Sequence, residues 1–147
     1  MKINTIAAFF SIVCAPVQML SADNGNTRLI VQLNGLRNDQ GHVQLRLWSS
    51  KAGFPTNDAK AFRSVTVDIH NGTASVVMAD IPSGIYAISA YHDENGNGKF
   101  DTRFPGIPTE GYAISNGGRG KLGPPPFEPA KVNVQGTETT VTIAIQY

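Results

Sequence analysis

The 147-residue sequence contains one cysteine, Cys14, and it lies in the apolar amino-terminal stretch. Past that stretch there is no thiol, which excludes disulfide staples, thiol redox chemistry and cysteine nucleophiles. An excess of one charge is also missing. Setting Lys2 aside, 11 basic side chains stand against 11 acidic ones, so neither nucleic acid nor an anionic membrane surface has an electrostatic claim on the chain. No apolar run is long enough to span a bilayer comfortably: Ile6–Val13 is short and is soon followed by Pro16 and Gln18. Long helical periodicity, heptads and internal repeats are absent. So are the common catalytic signatures: there is no Gly-x-Ser-x-Gly elbow and no His-Glu-x-x-His, and Gly117-Gly118-Arg119-Gly120 lacks the Lys-Ser/Thr of a phosphate loop. His92 and Asp93 are neighbours, but a strand sends neighbours to opposite faces, so they do not form a base and its orienting partner. The expectation is therefore a protein that is not an enzyme.

What is present begins with Met1-Lys2, an apolar centre and the small residues Ser21-Ala22 ahead of Asp23, the pattern of a secretory signal peptide over residues 1–22. Ser11-Ile12-Val13 does not supply the small residue expected just before a lipid-modified Cys14. The chain is thus expected to be exported, to the periplasm or the extracellular space, with no membrane insertion once the signal is removed. Residues 23–147 are enough for one domain with a single core.

That domain reads as strands. Leu29, Val31 and Leu33 alternate with polar residues, as do Val43, Leu45 and Leu47, and the turn-forming Asn38-Asp39-Gln40-Gly41 separates the two runs, suggesting a pair of antiparallel strands. Residues 49–61 break the pattern, with room for one helical turn at Asn57–Ala61. Val65, Val67 and Ile69 precede Asn71-Gly72 and then Thr73–Met78, a strong hairpin signal because both central residues of a type I′ turn need positive φ. Asp80, Gly84 and Tyr86 lead into the apolar strand Ala87–His92, and this spacing suggests a tyrosine corner, with the Tyr86 hydroxyl tied back to the preceding loop. Residues 93–129 are rich in Gly and Pro, a long excursion of the kind that is usually functional or disordered. Two more alternating runs, Ala130–Val134 and Thr140–Tyr147, close the chain and are expected to pair across Gly136. The fold class that follows is all-β, an antiparallel β-sandwich of about seven strands in an immunoglobulin-like or transthyretin-like Greek key, with one long Gly/Pro-rich loop; a small closed barrel is the alternative.

The densest chemistry lies at His92-Asp93-Glu94-Asn95-Gly96-Asn97-Gly98-Lys99-Phe100-Asp101. Calcium takes six to eight oxygens, which alternate positions of a tight loop can deliver. With Asp93 as position 1, Asn95 and Asn97 follow as positions 3 and 5, Gly98 makes the sharp turn, Lys99 offers its carbonyl and Asp101 stands at position 9. Phe104 occupies the position where a bidentate Glu closes such a loop, and Glu110 is the residue expected to fold back in its place. With so few carboxylates, affinity should lie near the weak, extracellular end of the range, roughly 10⁻⁴ to 10⁻³ M. The same Asn-Gly pairs also serve as plain turn formers, with the Asp side chains holding backbone amides. A second candidate surface is aromatic: Phe100, Phe104, Tyr112 and Phe127, with His92 near its mouth and Asn116 and Lys121 between, form a possible ligand surface or simply anchor the long loop.

Several further segments carry a resemblance. Asn34-Gly35-Leu36-Arg37-Asn38, Gly53-Phe54-Pro55, Ile81-Pro82-Ser83-Gly84-Ile85-Tyr86-Ala87, the His92–Asp101 loop, Gly106-Ile107-Pro108-Thr109-Glu110-Gly111-Tyr112, Ser115-Asn116 and Gly123-Pro124-Pro125-Pro126-Phe127 together resemble the bacterial exported family known as domain of unknown function 2141. The resemblance spans nearly all of the chain after residue 22 and implies a small periplasmic or secreted β-sandwich with no established activity. The loop is similar to calcium loops of exported adhesin repeats and dockerins, whose matching positions here are Asp93, Asn95, Asn97, Lys99 and Asp101. The expected protein is thus an exported, monomeric, non-enzymatic module with a calcium-ordered loop and an unidentified protein or small-molecule partner. The alternative is a periplasmic small-molecule carrier or hydrolase-like protein that uses the aromatic loop region as its pocket.

Overall fold

The computed structural model describes residues 25–118 and 123–147. The expected signal peptide, with Cys14, lies outside these residues, as do Arg119 and Lys121. Ten strands appear in chain order: β1 (Asn26–Asn34), β2 (His42–Trp48), β3 (Arg63–Val67), β4 (Ala74–Pro82), β5 (Gly84–Asp93), β6 (Thr102–Arg103), β7 (Ile107–Pro108), β8 (Tyr112–Ile114), β9 (Val132–Val134) and β10 (Glu138–Ala144). Helical structure among the described residues is limited to three short turns, Asp58–Lys60, Ser115–Gly117 and Glu128–Ala130.

The strands form two main sheets, one ordered β10-β1-β4 and the other β3-β2-β5-β8, with β9 pairing the start of β5. The sheets are open, so the fold is an all-β sandwich rather than a closed barrel. Period-two alternation in the sequence becomes burial in the structure: along β1, Leu29, Val31 and Leu33 are inside while Arg28, Gln32 and Asn34 face solvent. These residues meet Val43, Leu45, Leu47, Ile88 and Ala90 of the facing sheet, and Met78, Ile81 and Ile143 complete the core. The tyrosine corner is present, with the Tyr86 hydroxyl donating to the Pro82 carbonyl at 2.9 Å. The expected helical turn near Asn57 is the turn at Asp58–Lys60.

The structure corrects the pairing of strands in three places. β1 and β2 are not partners; residues 35–41 carry the chain from one sheet to the other. The Asn71-Gly72 turn has the expected left-handed φ values, 53° and 70°, and closes a bridge between His70 and Thr73. The chain then diverges, β3 joining β2 and β4 joining β1, so this is a crossing between sheets rather than a hairpin. The two closing strands also part: β9 pairs antiparallel with β5, and β10 lies parallel to β1 over Arg28–Asn34. That last ladder means the sandwich is not antiparallel throughout. The count exceeds seven because β6, β7 and β8 are two- or three-residue strands inside the Gly/Pro-rich excursion.

The outer face of the larger sheet is also covered. Trp48, Ala87, Ile114, Phe127 and Ala130 make a second, smaller core, with Phe54 and Ala61 packed against it. Phe54 meets Trp48 and Phe127 edge-on at 5.6 and 5.5 Å, close to the preferred T-shaped arrangement of aromatic pairs. Ser115, fully buried, fastens the covering segment: its hydroxyl accepts from the Ile88 amide at 2.9 Å and donates to the Ala130 carbonyl. Residues 49–61, 115–118 and 123–130 are thereby held over a sheet face that would otherwise be open.

Candidate functional site

β5 delivers Asp93 to the edge of the sandwich, opposite His42 of β2, and the chain leaves the sheet there. Asp93 is 1% exposed. Its two carboxylate oxygens accept from the amides of Asn97 at 3.0 Å and Gly98 at 2.8 Å, curling the loop around them. Asn95 Oδ1 accepts from the Asn97 amide and Asn97 Oδ1 from the Lys99 amide, at 3.0 and 2.8 Å, which are Asx turns in series. Glu110 folds back and grips the loop at both ends, accepting from the Glu94 amide at 3.1 Å and the Asp101 amide at 3.0 Å. Burial pushes the Glu110 carboxyl up from its ordinary value, the nearby Asp101 and Asp93 charges push the same way, and the two amides hold it back.

These contacts set how a cation would fit. The donor types suit calcium, but in this arrangement most side-chain oxygens are turned toward loop amides rather than toward one centre. Asp101 Oδ2 gathers the Nδ2 groups of Asn95 at 2.7 Å and Asn97 at 2.9 Å, and amide nitrogens are donors that cannot ligate a cation. Among the described residues, no group of three or more His, Cys, Asp and Glu side chains converges at metal-ligand spacing. In this arrangement the loop carries a hydrogen-bond network of its own.

Beside this loop, on the outer face of the larger sheet, runs a groove of about 700 Å³. Its floor is Ser89 and Tyr91 of β5 with Tyr112 and Ile114 of β8, and its walls come from Pro55, Thr56 and Asp58, from residues 98–100 with Thr102, Gly106 and Pro108, and from residues 123–125. The aromatic rings interlock: Tyr91 and Phe100 lie 5.5 Å apart and Phe100 and Tyr112 6.0 Å apart, and the Tyr91 hydroxyl donates to the Gly98 carbonyl at 3.1 Å. Burial raises the Tyr91 phenol above its ordinary pKa, with Arg46 beside it opposing the rise. Ser89 is engaged, accepting from Trp48 Nε1–H at 2.9 Å. A shallower hollow of about 420 Å³ between β3 and β4, lined by residues such as Thr66, Asp68 and Ser75, has no Phe, Tyr or Trp on its walls and offers little to hold a ligand.

The sequence candidates separate on this frame. Asp93, Asn95, Asn97, Lys99, Asp101 and Glu110 do come together in one loop. Of the aromatic candidates, Phe100 and Tyr112 line the groove. Phe127 instead belongs to the small second core, Phe104 is 97% exposed at the tip of the excursion, and Asn116 bonds the Lys131 carbonyl at 2.6 Å to hold the covering segment. His92 is buried on the inner side of β5. Its Nε2 donates to the Gln40 carbonyl at 2.7 Å, because a carbonyl only accepts, and its Nδ1 lies 2.7 Å from the Tyr147 hydroxyl. That makes His92 a pin for the last residues of the chain.

Arg46 and Tyr91 were not among the sequence candidates. A signal existed: Arg46 and Trp48 share the face of β2 opposite Val43, Leu45 and Leu47, and a Trp on a supposedly wet face implies that something covers it.

No curated protein and no solved structure matches the chain. A family model does, over residues 31–142, from β1 into β10. The chain belongs to the family described as uncharacterized protein conserved in bacteria, DUF2141.

Proposed function

We propose that this protein is an exported, monomeric binding module without catalytic activity, and that its ligand face is the groove over the outer side of the larger sheet. The observation that carries this reading is the groove itself: about 700 Å³, floored by interlocked Tyr91, Phe100 and Tyr112 and bordered by prolines, within the size range of small-molecule sites. Export is supported by the signal-like residues 1–22 and by the absence of any thiol after Cys14. A non-catalytic role is supported by the lining: Ser89 is committed to Trp48, and no histidine lies among the lining residues.

In this reading the His92–Asp101 loop builds one wall of the groove, and its Asx network keeps that wall in place. Calcium enters as an added source of order, held by Asp93, Asn95, Asn97, the Lys99 carbonyl, Asp101 and Glu110, once the two asparagine amides rotate to offer oxygen. The ion would supply charge neutralisation among the clustered carboxylates. A thermal-shift screen of metabolites against the wild type, Phe100→Ala and Tyr112→Ala tests the groove. A hit that stabilises the wild type and loses its effect in both variants supports the reading, whereas hits that are indifferent to both substitutions overturn it.

A further inference from the structure

The groove's apolar lining does not explain the guanidinium buried beneath it. Arg46 projects from β2 beside Ser89, is 8% exposed, and stacks 5.3 Å over the Tyr91 ring. Only Nη2 is engaged, on Asp58 Oδ2 at 2.6 Å. Nε and Nη1 are buried and have no hydrogen-bond partner among the described residues. The Tyr91 hydroxyl lies beside the guanidinium, and its own hydrogen goes to the Gly98 carbonyl. Buried, unpaired donors on a charged group are costly to keep, and such groups in a folded protein call for an explanation.

Asp58 is a weak permanent partner. Its side chain is 51% exposed, it sits on a three-residue turn, and it offers Arg46 one oxygen where a planar guanidinium can take two. Asp58, Ser89 and Tyr91, three of the neighbours of Arg46, line the groove. Charge and shape therefore favour the same occupant, an anionic head beside Arg46 and a flat apolar body over Tyr91, Phe100 and Tyr112.

We propose that the groove takes a planar aromatic carboxylate, whose carboxylate displaces Asp58 and pairs with Arg46 while its ring lies against Tyr91, Phe100 and Tyr112. The inference rests on the groove being the ligand face. Displacement keeps the guanidinium neutralised throughout, because one carboxylate leaves as another arrives, and the released Asp58 returns to water at its exposed position. A carboxylate free of the covering loop can engage Nε or Nη1 as well as Nη2. Asp58 is then an internal stand-in for the ligand, and its removal improves binding.

The test is an amide-resolved NMR titration of the labelled protein with naphthoate, with the neutral isostere naphthamide as comparison, in wild type, Arg46→Met and Asp58→Asn. The expected result is that naphthoate shifts signals of Ser89, Tyr91, Phe100 and Tyr112 and binds at least about tenfold more tightly than naphthamide. Arg46→Met removes that preference, and Asp58→Asn strengthens naphthoate binding severalfold. Should Arg46→Met fail to fold, the naphthoate-to-naphthamide ratio and the Asp58→Asn response decide alone. Equal binding of the two probes in the groove overturns the carboxylate inference and leaves the groove as the ligand face. Absence of any shift in the groove at millimolar probe overturns both.

Discussion

The loop that walls the groove can be taken apart one carboxylate at a time, and the structure assigns unequal weights to its two aspartates. Asp93 is almost fully buried and accepts two backbone amides, at 3.0 and 2.8 Å. A hydrogen bond to a charged acceptor is worth about 1.5–3 kcal/mol, so Asp93→Ala removes about 3–6 kcal/mol of gross interaction. Much of this returns when the loop opens and water solvates the two amides, leaving a net loss of about 2–3 kcal/mol. The Asp101 carboxylate accepts only from the exposed Asn95 and Asn97 side chains, and its removal should cost under about 1 kcal/mol. Urea unfolding in the presence of a chelator measures both. Millimolar calcium then provides a separate arm: an ion at tenfold over its dissociation constant adds about 1.4 kcal/mol to the wild type, and that gain should vanish in each variant. If Asp93→Ala stays within about 0.5 kcal/mol of wild type in chelator, the hydrogen-bonded account of the loop is wrong. If calcium does not stabilise the wild type, the calcium proposal is wrong while the first account stands.

Other consequences are equally direct. A Cβ on Gly41 would sit 1.9 Å from the Asp93 carbonyl oxygen, at φ +67°, so Gly41→Ala should cost more than about 3 kcal/mol or prevent folding. Gly96→Ala, at φ +70° with open space around it, should cost only about 1–2 kcal/mol by the same denaturation assay. Tyr86→Phe removes the hydroxyl that ties to Pro82 and should lower stability by about 1 kcal/mol without disturbing the far-ultraviolet spectrum. The amides of Gly72 and Asn71 hold the Asp39 carboxyl below its ordinary value of 3.8. Its contribution is therefore present above that value and lost as pH falls through the folded-state pKa, and Asp39→Asn should flatten the acid limb of a stability profile. Glu110 runs the other way: burial raises it, so its contribution is present below the ordinary 4.5 and lost as pH rises through the folded-state pKa. A Glu110→Gln variant should lack that decline.

Much of the architecture could be read from local pattern, because a residue's face is a local property while its partner is not. The alternation of Leu29, Val31 and Leu33 determined what β1 buries, and Tyr86 announced its corner. Alternation alone does not say which strand lies alongside, and that is where the reading failed. Asn71-Gly72 has the dihedral angles of a hairpin turn, but the apolar residues on either side are needed by opposite sheets, and core burial outweighs the local pairing. β9 and β10 part for the same reason: Val134 completes the larger sheet's edge, while Ile143 is needed beside Leu33. In the loop, spacing put Asp93, Asn97 and Asp101 on one turn, and Glu110 entered as a residue that could fold back onto it, but spacing does not say whether their oxygens face an ion or the backbone. The groove was legible only in part, through Phe100 and Tyr112. Its floor needs Tyr91 and Arg46, which become neighbours through the register of β2 on β5, and no short motif encodes that register.

Mapping amide shifts while the labelled protein is titrated with a library of small aromatic and aliphatic fragments decides whether the outer face of the larger sheet is the ligand face. Perturbed amides should cluster on Ser89–Tyr91, Lys99–Thr102 and Tyr112–Ile114, the floor and wall of the groove. A cluster on Thr66–Asp68 and Ala74–Val76 instead, or no cluster at all, would contradict it.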